Sequence, residues 1–249
     1  MLFRSFANKM DRVGASYEYT IQTIHQRLGA NPIAMQLPIG SEANFKGAVD
    51  LLTEKAIIWE DDLGKEPRIV DIPAELVDQA EEMRQKMIEK IVELDDDLTI
   101  KYLEGEAISV DELKAVLRQA VLNSKATPVF CGSSLRNKGV QPVLDAVIDY
   151  LPSPLDKPSV KGINPDTDEE VVYPGDENEP LSSLVFKIVT DPYVGRLAYF
   201  RVYSGKIVQG TTVYNPIKHK RERIGRLLRM YADRREDVTE VLAGDIAAV

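Results

Sequence analysis

Three side chains near the start of the sequence have the types and spacing to recognise a purine base. Asn8, Lys9 and Asp11 place an amide, an ammonium and a carboxylate within four residues, directly after a short apolar run. A fixed carboxylate can accept two hydrogen bonds from a ligand edge that carries adjacent donors. Guanine presents such an edge through its ring N1–H and its exocyclic amine, whereas adenine presents a ring nitrogen and a C–H. Because a carboxylate left unpaired is costly, the pattern favours guanine.

The other two members of this cluster have complementary roles. The methylene stem of Lys9 can cover the plane of the base, and Asn8 can brace the loop and reach the purine N7. The alternative is structural: N-K-x-D can arise by chance, and Asp11 can serve as the start of the helix that follows. The cluster alone does not decide between these two interpretations.

A second loop, far along the chain, strengthens the ligand interpretation. The apolar run TPVFC at 127–131 predicts a strand. It leads into a loop at 132–135 that begins with the small residues GSS, and then into an amphipathic helix at 140–151. In such α/β units the ligand binds at the carboxyl ends of the strands. We therefore predict that Asp11 and the second loop lie close together. The backbone N–H groups of Ser133 and Ser134 could then meet the guanine O6.

The intervening sequence predicts the elements that must position the two loops. Apolar residues at helical spacing predict a helix that ends at Gly29, and turn residues separate short strand-like runs after it. A capping-box pattern at Ser109 and Glu112 predicts the start of a later helix. The predicted helices are 15–28, a long one from Pro73 to Leu94, a shorter one to Leu103, and 109–123; the predicted strands are 33–39, 46–52 and 55–60.

The last hundred residues have a different texture. Residues 152–180 contain six of the fourteen prolines and predict an extended linker with one short strand at EEVVY. Alternating apolar and polar runs then predict an antiparallel β-barrel domain. These runs are SLVFKIV, GRLAYFRVYSG, TTVYN, ERIGRLLRMYA and the terminal AGDIAAV.

The net charge of −9 is distributed unevenly along the chain. Residues 60–112 contain eighteen acidic side chains against six basic ones, whereas residues 187–235 contain twelve basic against three acidic. This separation indicates different partners for the two segments. The alternative is that each segment is simply a solvated face, in which the basic side chains of the second segment pair locally with Glu222 and Asp233.

Composition narrows the class of protein. A single cysteine, Cys131, allows no internal disulfide and favours a reducing compartment. The two histidines, His25 and His219, lie too far apart in sequence to favour a histidine metal site. No apolar run has the length of a membrane span, and no signal peptide is evident. We expect a cytoplasmic protein with no membrane partner.

The two loops and the β segment together resemble one known family. FANKMDRVGASY resembles the guanine-specificity motif of the translational GTPases, and TPVFCGSSLRNKGVQPVLDAVIDYLPSP resembles the second guanine loop and final helix of the elongation factor G family. The run ANFKGAVDLL resembles the insert in the G domain of this family, and the alternating segment resembles its second domain. The likeness covers nearly all of the chain after Arg4.

The resemblance implies a fold and a domain organisation. The fold class is α/β, the rear part of a P-loop-type GTPase G domain with an α+β insert, followed by a truncated antiparallel β-barrel domain. The predicted boundaries are 1–28 and 125–155 for the G domain, 29–124 for the acidic insert, 156–180 for the linker and 181–249 for the barrel. In the family a phosphate-binding loop and two switch segments precede the guanine motif, so we expect this chain to be an internal fragment.

The resemblance also assigns the nucleotide site. It implies that Asn8, Lys9 and Asp11 hold the guanine of GTP or GDP and that Ser133, Ser134 and Leu135 form the second loop. Ser134 stands where the family usually has alanine, and we expect little effect because the contact there is through the backbone. No G-x-x-x-x-G-K-[ST] sequence occurs in the chain. The ligands of Mg²⁺ in the family are therefore absent here, no catalytic or metal-binding residue is predicted, and the chain alone is expected not to hydrolyse GTP.

The same resemblance implies binding partners for the two charged segments. The family hydrolyses GTP on the ribosome during movement of tRNA and mRNA. The acidic insert, with Glu81, Glu82 and Glu89, is expected to face the ribosomal stalk protein. The basic segment is expected to contact small-subunit ribosomal RNA through Lys218, Lys220, Arg221 and Arg223.

Two alternatives remain open. The chain could derive from a related translational GTPase, such as a ribosome-protection or ribosome-recycling factor. In isolation it could also act only as a binding module that docks on ribosomal components. A nucleotide titration distinguishes the second alternative from a GTPase-like site.

Overall fold

A computed structural model describes residues 5–61, 64–164, 167–191, 195–231 and 234–249. The chain divides into two compact units, Met1–Leu151 and Pro152–Val249. An α/β first unit and a β-rich second unit confirm the predicted fold class.

The first unit combines a small parallel sheet, a separate antiparallel sheet and a group of helices. Its strands are β1 (Ser5–Ala7), β2 (Pro32–Ala34), β3 (Gln36–Ile39), β4 (Gly47–Asp50), β5 (Lys55–Ile58), β6 (Arg68–Val70) and β7 (Thr127–Cys131). Its helices are α1 (Tyr17–Leu28), α2 (Val77–Val92), α3 (Asp96–Leu103), α4 (Val110–Leu122) and α5 (Val140–Tyr150).

The parallel sheet has β7 at its centre, in the order β1-β7-β2. Every residue of β7 is buried, as expected for a central parallel strand covered on both faces. The strand predicted at 33–39 is divided between two sheets, which corrects that prediction. Met35 marks the division, because its N–H donates to Val129 O at 3.0 Å while its carbonyl accepts from the Leu51 N–H at 3.1 Å. Strand β2 therefore belongs to the parallel sheet, although the sequence assigned residues 29–124 to the insert.

The antiparallel sheet of the insert runs in the order β3-β4-β5-β6. Strand β6 was missed by the sequence analysis, which predicted only a loop around Gly64 and Pro67. Its residues Arg68, Ile69 and Val70 are too few to show an alternation, and Ile69 is exposed on the edge strand. Residues 68–70 therefore form a strand because they pair with β5, and not because of their own sequence pattern.

Capping residues predict the ends of two helices correctly, whereas α2 begins at Val77, after the short 3-10 turn Ala74–Leu76, and not at Pro73. The Ser16 side chain accepts from the Tyr19 N–H at the start of α1, and Gly29 ends that helix in the left-handed conformation. Ser109 and Glu112 form the predicted capping box of α4. On α2 the apolar stripe buries Met87 and Ile91 in a core shared with α4 and the antiparallel sheet. This packing places the acidic face of α2 outward.

The second unit consists of antiparallel sheets and one additional hairpin. Its strands are β8 (Val160–Ile163), β9 (Glu170–Tyr173), β10 (Ser182–Asp191), β11 (Gly195–Ser204), β12 (Lys206–Val208), β13 (Thr212–Asn215), β14 (Lys220–Arg223), β15 (Leu227–Tyr231), β16 (Arg234–Val238), β17 (Glu240–Leu242) and β18 (Ile246–Ala248). One sheet has the order β10-β11-β18-β15-β16, and β12 pairs with β17 and β13 with β14.

Two predictions in this region need correction. The expected extended linker contains a hairpin, because β8 pairs with β9 from Val160↔Tyr173 to Ile163↔Glu170. The run ERIGRLLRMYA is divided between β14 and β15, which belong to different sheets. Ile224 lies between these strands and is buried in the core of the unit beside Leu227. The chain thus changes sheet at a buried apolar residue.

Candidate functional site

The two predicted loops leave the parallel sheet at the same edge. Strands β1 and β7 are adjacent and parallel, and Ala7 pairs with Cys131 at their last positions. The Gly132 N–H donates to Ala7 O, and the Met10 N–H donates to Gly132 O, both at 3.0 Å. Loops at the carboxyl ends of adjacent strands therefore lie side by side, as the sequence predicts.

Asn8 connects the two loops through its side-chain carbonyl. Its Oδ1 accepts from the Lys9 N–H at 2.8 Å, from the Ser134 N–H at 3.0 Å and from the Ser134 hydroxyl at 3.1 Å. Its Nδ2 group has no hydrogen-bond partner among the described residues. The amide is thus oriented by the protein on one side and retains two donors on the other.

Asp11 lies beside the second loop as a carboxylate. The pKa of Asp11 is lowered, mainly by the neighbouring Ser133 hydroxyl. The backbone N–H of Asp11 and the positive charges of Arg12 and Arg136 lower it further. Ser133 is 1% exposed, and its Oγ has no hydrogen bond of full geometry within the described residues. Aspartate is already ionised at neutral pH at its ordinary pKa, and the lowered pKa extends the ionised form to more acidic solution; in this form Asp11 accepts hydrogen bonds and does not donate them.

Lys9 and Leu135 are exposed members of the predicted site. Lys9 has a backbone φ of 63°, which is uncommon for a residue with a side chain. Such strain is found often at ligand-binding positions. Leu135 lies in the short 3-10 turn Ser134–Arg136, and its side chain is 78% exposed. The protein therefore exposes one aliphatic stem on the first loop and one aliphatic side chain on the second.

One expectation about the second loop changes with the structure. The Ser133 N–H donates to Lys138 O at 2.8 Å, and the Ser134 N–H donates to Asn8 Oδ1. Both N–H groups that were expected to meet guanine O6 are therefore used inside the protein. Serine in place of alanine at position 134 was expected to have little effect, but its hydroxyl donates a hydrogen bond to Asn8 Oδ1.

A contact from Gly64, a residue of the predicted insert, to the second loop was not predicted from the sequence. The Gly64 carbonyl accepts from Asn137 Nδ2 at 2.9 Å and from Gln141 Nε2 at 3.3 Å. Gly64 has a φ of 60°, and a Cβ there would lie 2.5 Å from Arg136 O. Glycine is required at this position by both conformation and close approach. A lone glycine in a predicted loop gave no signal of this long-range contact.

The acidic candidates on α2 are exposed but differ in their local partners. Glu82 pairs with Lys86, which lowers the pKa of Glu82. Glu89 accepts from Gln85 and from Tyr102. Glu81 lines a cleft of about 330 Å³ between α2 and the antiparallel sheet. The three carboxylates share one helix and are open to solvent.

The basic candidates lie on the hairpin formed by β13 and β14. Lys218 forms an ion pair with Glu222 at 3.2 Å, in line with the local-pairing alternative for that residue. Arg221 and Arg223 are two positions apart in β14, so they share a face, and both are exposed. Lys220 is also exposed. Asp233, an expected partner in that alternative, lies outside the described residues.

Arg226 stands apart from the other basic residues of this segment. Its guanidinium forms two hydrogen bonds with the Asp237 carboxylate, at 2.9 and 2.8 Å. A two-point pair of this kind holds the side chain in one orientation.

Among the described ranges, no helix combines the length and apolar character that crossing a bilayer requires.

The parallel strands with their paired loops, followed by an antiparallel β unit, define a nucleotide-binding domain joined to a β domain. Residues 3–153 match the model of the elongation factor Tu GTP binding domain, and residues 180–249 match that of elongation factor G domain 2. The match over residues 3–153 covers more than half of the chain. The chain therefore belongs to the elongation factor Tu GTP-binding domain family. This finding confirms the prediction of a translational GTPase.

A solved structure is similar over nearly the whole chain. A crystal structure of a protein from Thermus thermophilus matches with a TM-score of 0.77 and 27% sequence identity. The match covers 99% of this chain and 34% of the other. The chain thus spans about a third of the length of that relative.

Proposed function

We propose that the paired loops bind the guanine end of GTP and GDP in an elongation factor of the G type, which promotes tRNA and mRNA movement on the ribosome. The observation that supports this proposal is the connection of the loops: Asn8 holds Ser134 while the Asp11 carboxylate lies beside Ser133. Membership of a GTP-binding domain family and the match to elongation factor G domain 2 point the same way.

The residues present fit a guanine base. The ionised Asp11 accepts from the adjacent N1–H and amine of guanine, and the outward Nδ2 of Asn8 donates to the purine N7. The stem of Lys9 covers the base plane. Adenine would leave the Asp11 carboxylate without donors, which is the basis of discrimination.

The 249-residue chain is proposed to bind the base without catalysing hydrolysis. Catalysis in this class comes from positioning and charge stabilisation of the phosphates, and the chain has no G-x-x-x-x-G-K-[ST] sequence to supply these. When bound to a complete family member, Mg²⁺ neutralises charge on the phosphates. We expect no GTP turnover above background by the purified chain. Turnover that survives further purification would contradict this part of the proposal.

A titration of the chain with nucleotides tests the base assignment. Amide resonances of the two loops, followed by NMR, should shift with GDP and GTP at lower concentrations than with ADP and ATP. The shifts should be confined to the loops and neighbouring residues. Equal affinity for the guanine and adenine nucleotides would overturn the proposed function.

The hairpin of β13 and β14 is proposed to contact the ribosomal RNA of the small subunit. Asn215 Oδ1 accepts from the Ile217 and Lys218 N–H groups at 3.1 Å, so the turn is held by local hydrogen bonds. Arg221 and Arg223 extend from one face into solvent. Their charge suits phosphate contacts that position the factor without reading sequence.

The acidic face of α2 is proposed to bind the ribosomal stalk protein. Glu81, Glu82 and Glu89 project from one helix, and repulsion by phosphate argues against RNA at this face. The cleft beside Glu81 is lined by apolar side chains such as Val49 and Ile72 and also by charged ones, including Arg84. An acidic helix face beside a cleft of mixed polarity fits a protein partner with basic and apolar side chains. With these partners, a cytoplasmic location is proposed.

A second candidate function is that of a binding module alone. The charge separation along the chain and the missing phosphate-loop sequence favour it for the chain in isolation. A related translational GTPase, such as a ribosome-protection or ribosome-recycling factor, is the other alternative to the elongation factor G type. Ribosome and stalk binding without any response to guanine nucleotides would favour the binding module.

A further inference from the structure

We propose that the Ser134 hydroxyl is a positioning group for guanine recognition, acting through Asn8; this inference rests on the proposed function. Three donors surround Asn8 Oδ1: the Lys9 N–H at 2.8 Å, the Ser134 N–H at 3.0 Å and the Ser134 hydroxyl at 3.1 Å. A carbonyl oxygen has two lone pairs. The oxygen is therefore supplied with one donor more than it requires.

The surplus donor has a consequence for ligand binding. Guanine O6 is an acceptor, and the Ser134 N–H is one of the two backbone donors that the sequence assigned to it. When O6 takes this N–H, the Ser134 hydroxyl and the Lys9 N–H still satisfy both lone pairs of Asn8 Oδ1. The N–H is released without leaving that acceptor short of a partner, which avoids the cost of a lost hydrogen bond.

The same contact fixes the outward donors of Asn8. Because donors surround one atom of the amide, that atom is the oxygen, and Nδ2 points the other way. The hydroxyl keeps this orientation while the backbone N–H changes partner. An alanine at position 134 would leave the Lys9 N–H as the single remaining donor to Asn8 once the base is bound. Ser134 therefore couples the O6 contact to the N7 contact.

The experiment compares the GDP affinity of the 249-residue chain and its variants by NMR titration. Ser134→Ala should weaken GDP binding roughly two- to tenfold, the value of one neutral hydrogen bond. Ser134→Thr, which retains the hydroxyl, should restore most of the affinity. Ser183→Ala, on an exposed strand of the second unit, is the matched control and should leave affinity unchanged.

A double-mutant cycle separates this role from a general structural one. In an Asn8→Ala background, Ser134→Ala should have no further effect, because the hydroxyl acts through Asn8. Equal losses in both backgrounds, or an unchanged affinity of Ser134→Ala in the parent background, would overturn the inference while leaving guanine binding intact. A parent chain that does not prefer GDP to ADP would overturn the proposed function, and this inference with it.

Discussion

The paired loops of the first unit and the basic hairpin of the second hold their polar side chains in different ways. In the loops, Asn8 and Ser134 are 126 positions apart and are joined by two hydrogen bonds. In the hairpin, Lys218 and Glu222 are four positions apart and form a solvent-exposed ion pair. Long-range hydrogen bonds fix the directions of donors and acceptors, whereas exposed charges fix mainly the sign of a surface. We expect changes in the loops to alter which base binds, and changes in the hairpin to alter salt dependence.

The largest effect should come from breaking the support of the second loop. Gly64→Ala forces a Cβ to within 2.5 Å of Arg136 O and strains a left-handed backbone, so stability should fall by roughly 1–3 kcal/mol. GDP affinity should fall with it. Urea unfolding and GDP titration of the chain measure the two effects.

Gly105→Ala is the matched control for this variant. Gly105 also has a positive φ, of 74°, but a Cβ there meets no atom within 4 Å. It should cost less stability and leave GDP affinity unchanged. If both variants behave alike, the contact between the insert and the second loop does not support the site.

Charge changes on the acidic face of α2 should have an effect of intermediate size, between those in the loops and those in the hairpin. Replacing Glu81, Glu82 and Glu89 together by lysine should slow association with the stalk protein several-fold at low salt, mainly through the on-rate. Stopped-flow measurements across a salt series test this expectation. Glu240→Lys, the same kind of charge change on the second unit, is the control. Association at the parental rate would show that the face is only solvated.

A smaller effect concerns the ionisation of Asp11. Its pKa is lowered chiefly by Ser133, so Ser133→Ala should raise the pKa toward its ordinary value. A depressed carboxyl pKa stabilises the fold above the unfolded-state value, and that contribution is lost as pH falls through the folded-state pKa. Asp11 must also be ionised to accept hydrogen bonds from guanine. Guanine affinity should therefore be constant between about pH 5 and 8 and fall only in more acidic solution. An NMR titration of the Asp11 carboxyl carbon checks both points; an unchanged pKa in Ser133→Ala would contradict the assigned contact.

The smallest effect is expected in the hairpin. Arg221→Ala and Arg223→Ala should each reduce the magnitude of the slope of log affinity against log salt by about one unit, with no change in sequence preference. Arg226→Ala is the control, because Arg226 is held by Asp237 and should contribute less to phosphate binding. The measurement is a ribosome titration over a salt series. Identical slopes for the parent and the first two variants would show that these arginines touch no phosphate.

The sequence predicted the features that depend on local pattern. The capping box at Ser109 and Glu112, the end of α1 at Gly29 and the strand at 127–131 all follow from residues a few positions apart. The closeness of Asp11 to the second loop also followed, because the carboxyl ends of parallel strands meet at one edge.

Features that depend on distant partners were missed or only partly predicted. The division of residues 33–39 at Met35 is decided by Val129 and Leu51, and β6 exists because it pairs with β5. The Gly64 contact with Asn137 joins positions 73 apart. A pattern within a short window contains no information about such partners. The donors around Asn8 Oδ1 belong to the same class, since two of them come from Ser134.

The most direct test of the central claim is the base preference of Asp11→Asn. Xanthine carries a carbonyl where guanine carries its amine, so an asparagine amide can donate where the aspartate accepted. Titrating the parent chain and the variant with GDP and XDP should show a preference for GDP in the parent and for XDP in the variant, with a change of about ten- to a hundredfold in the ratio of the two dissociation constants. An unchanged ratio would show that Asp11 does not read the base and would contradict the proposed guanine site.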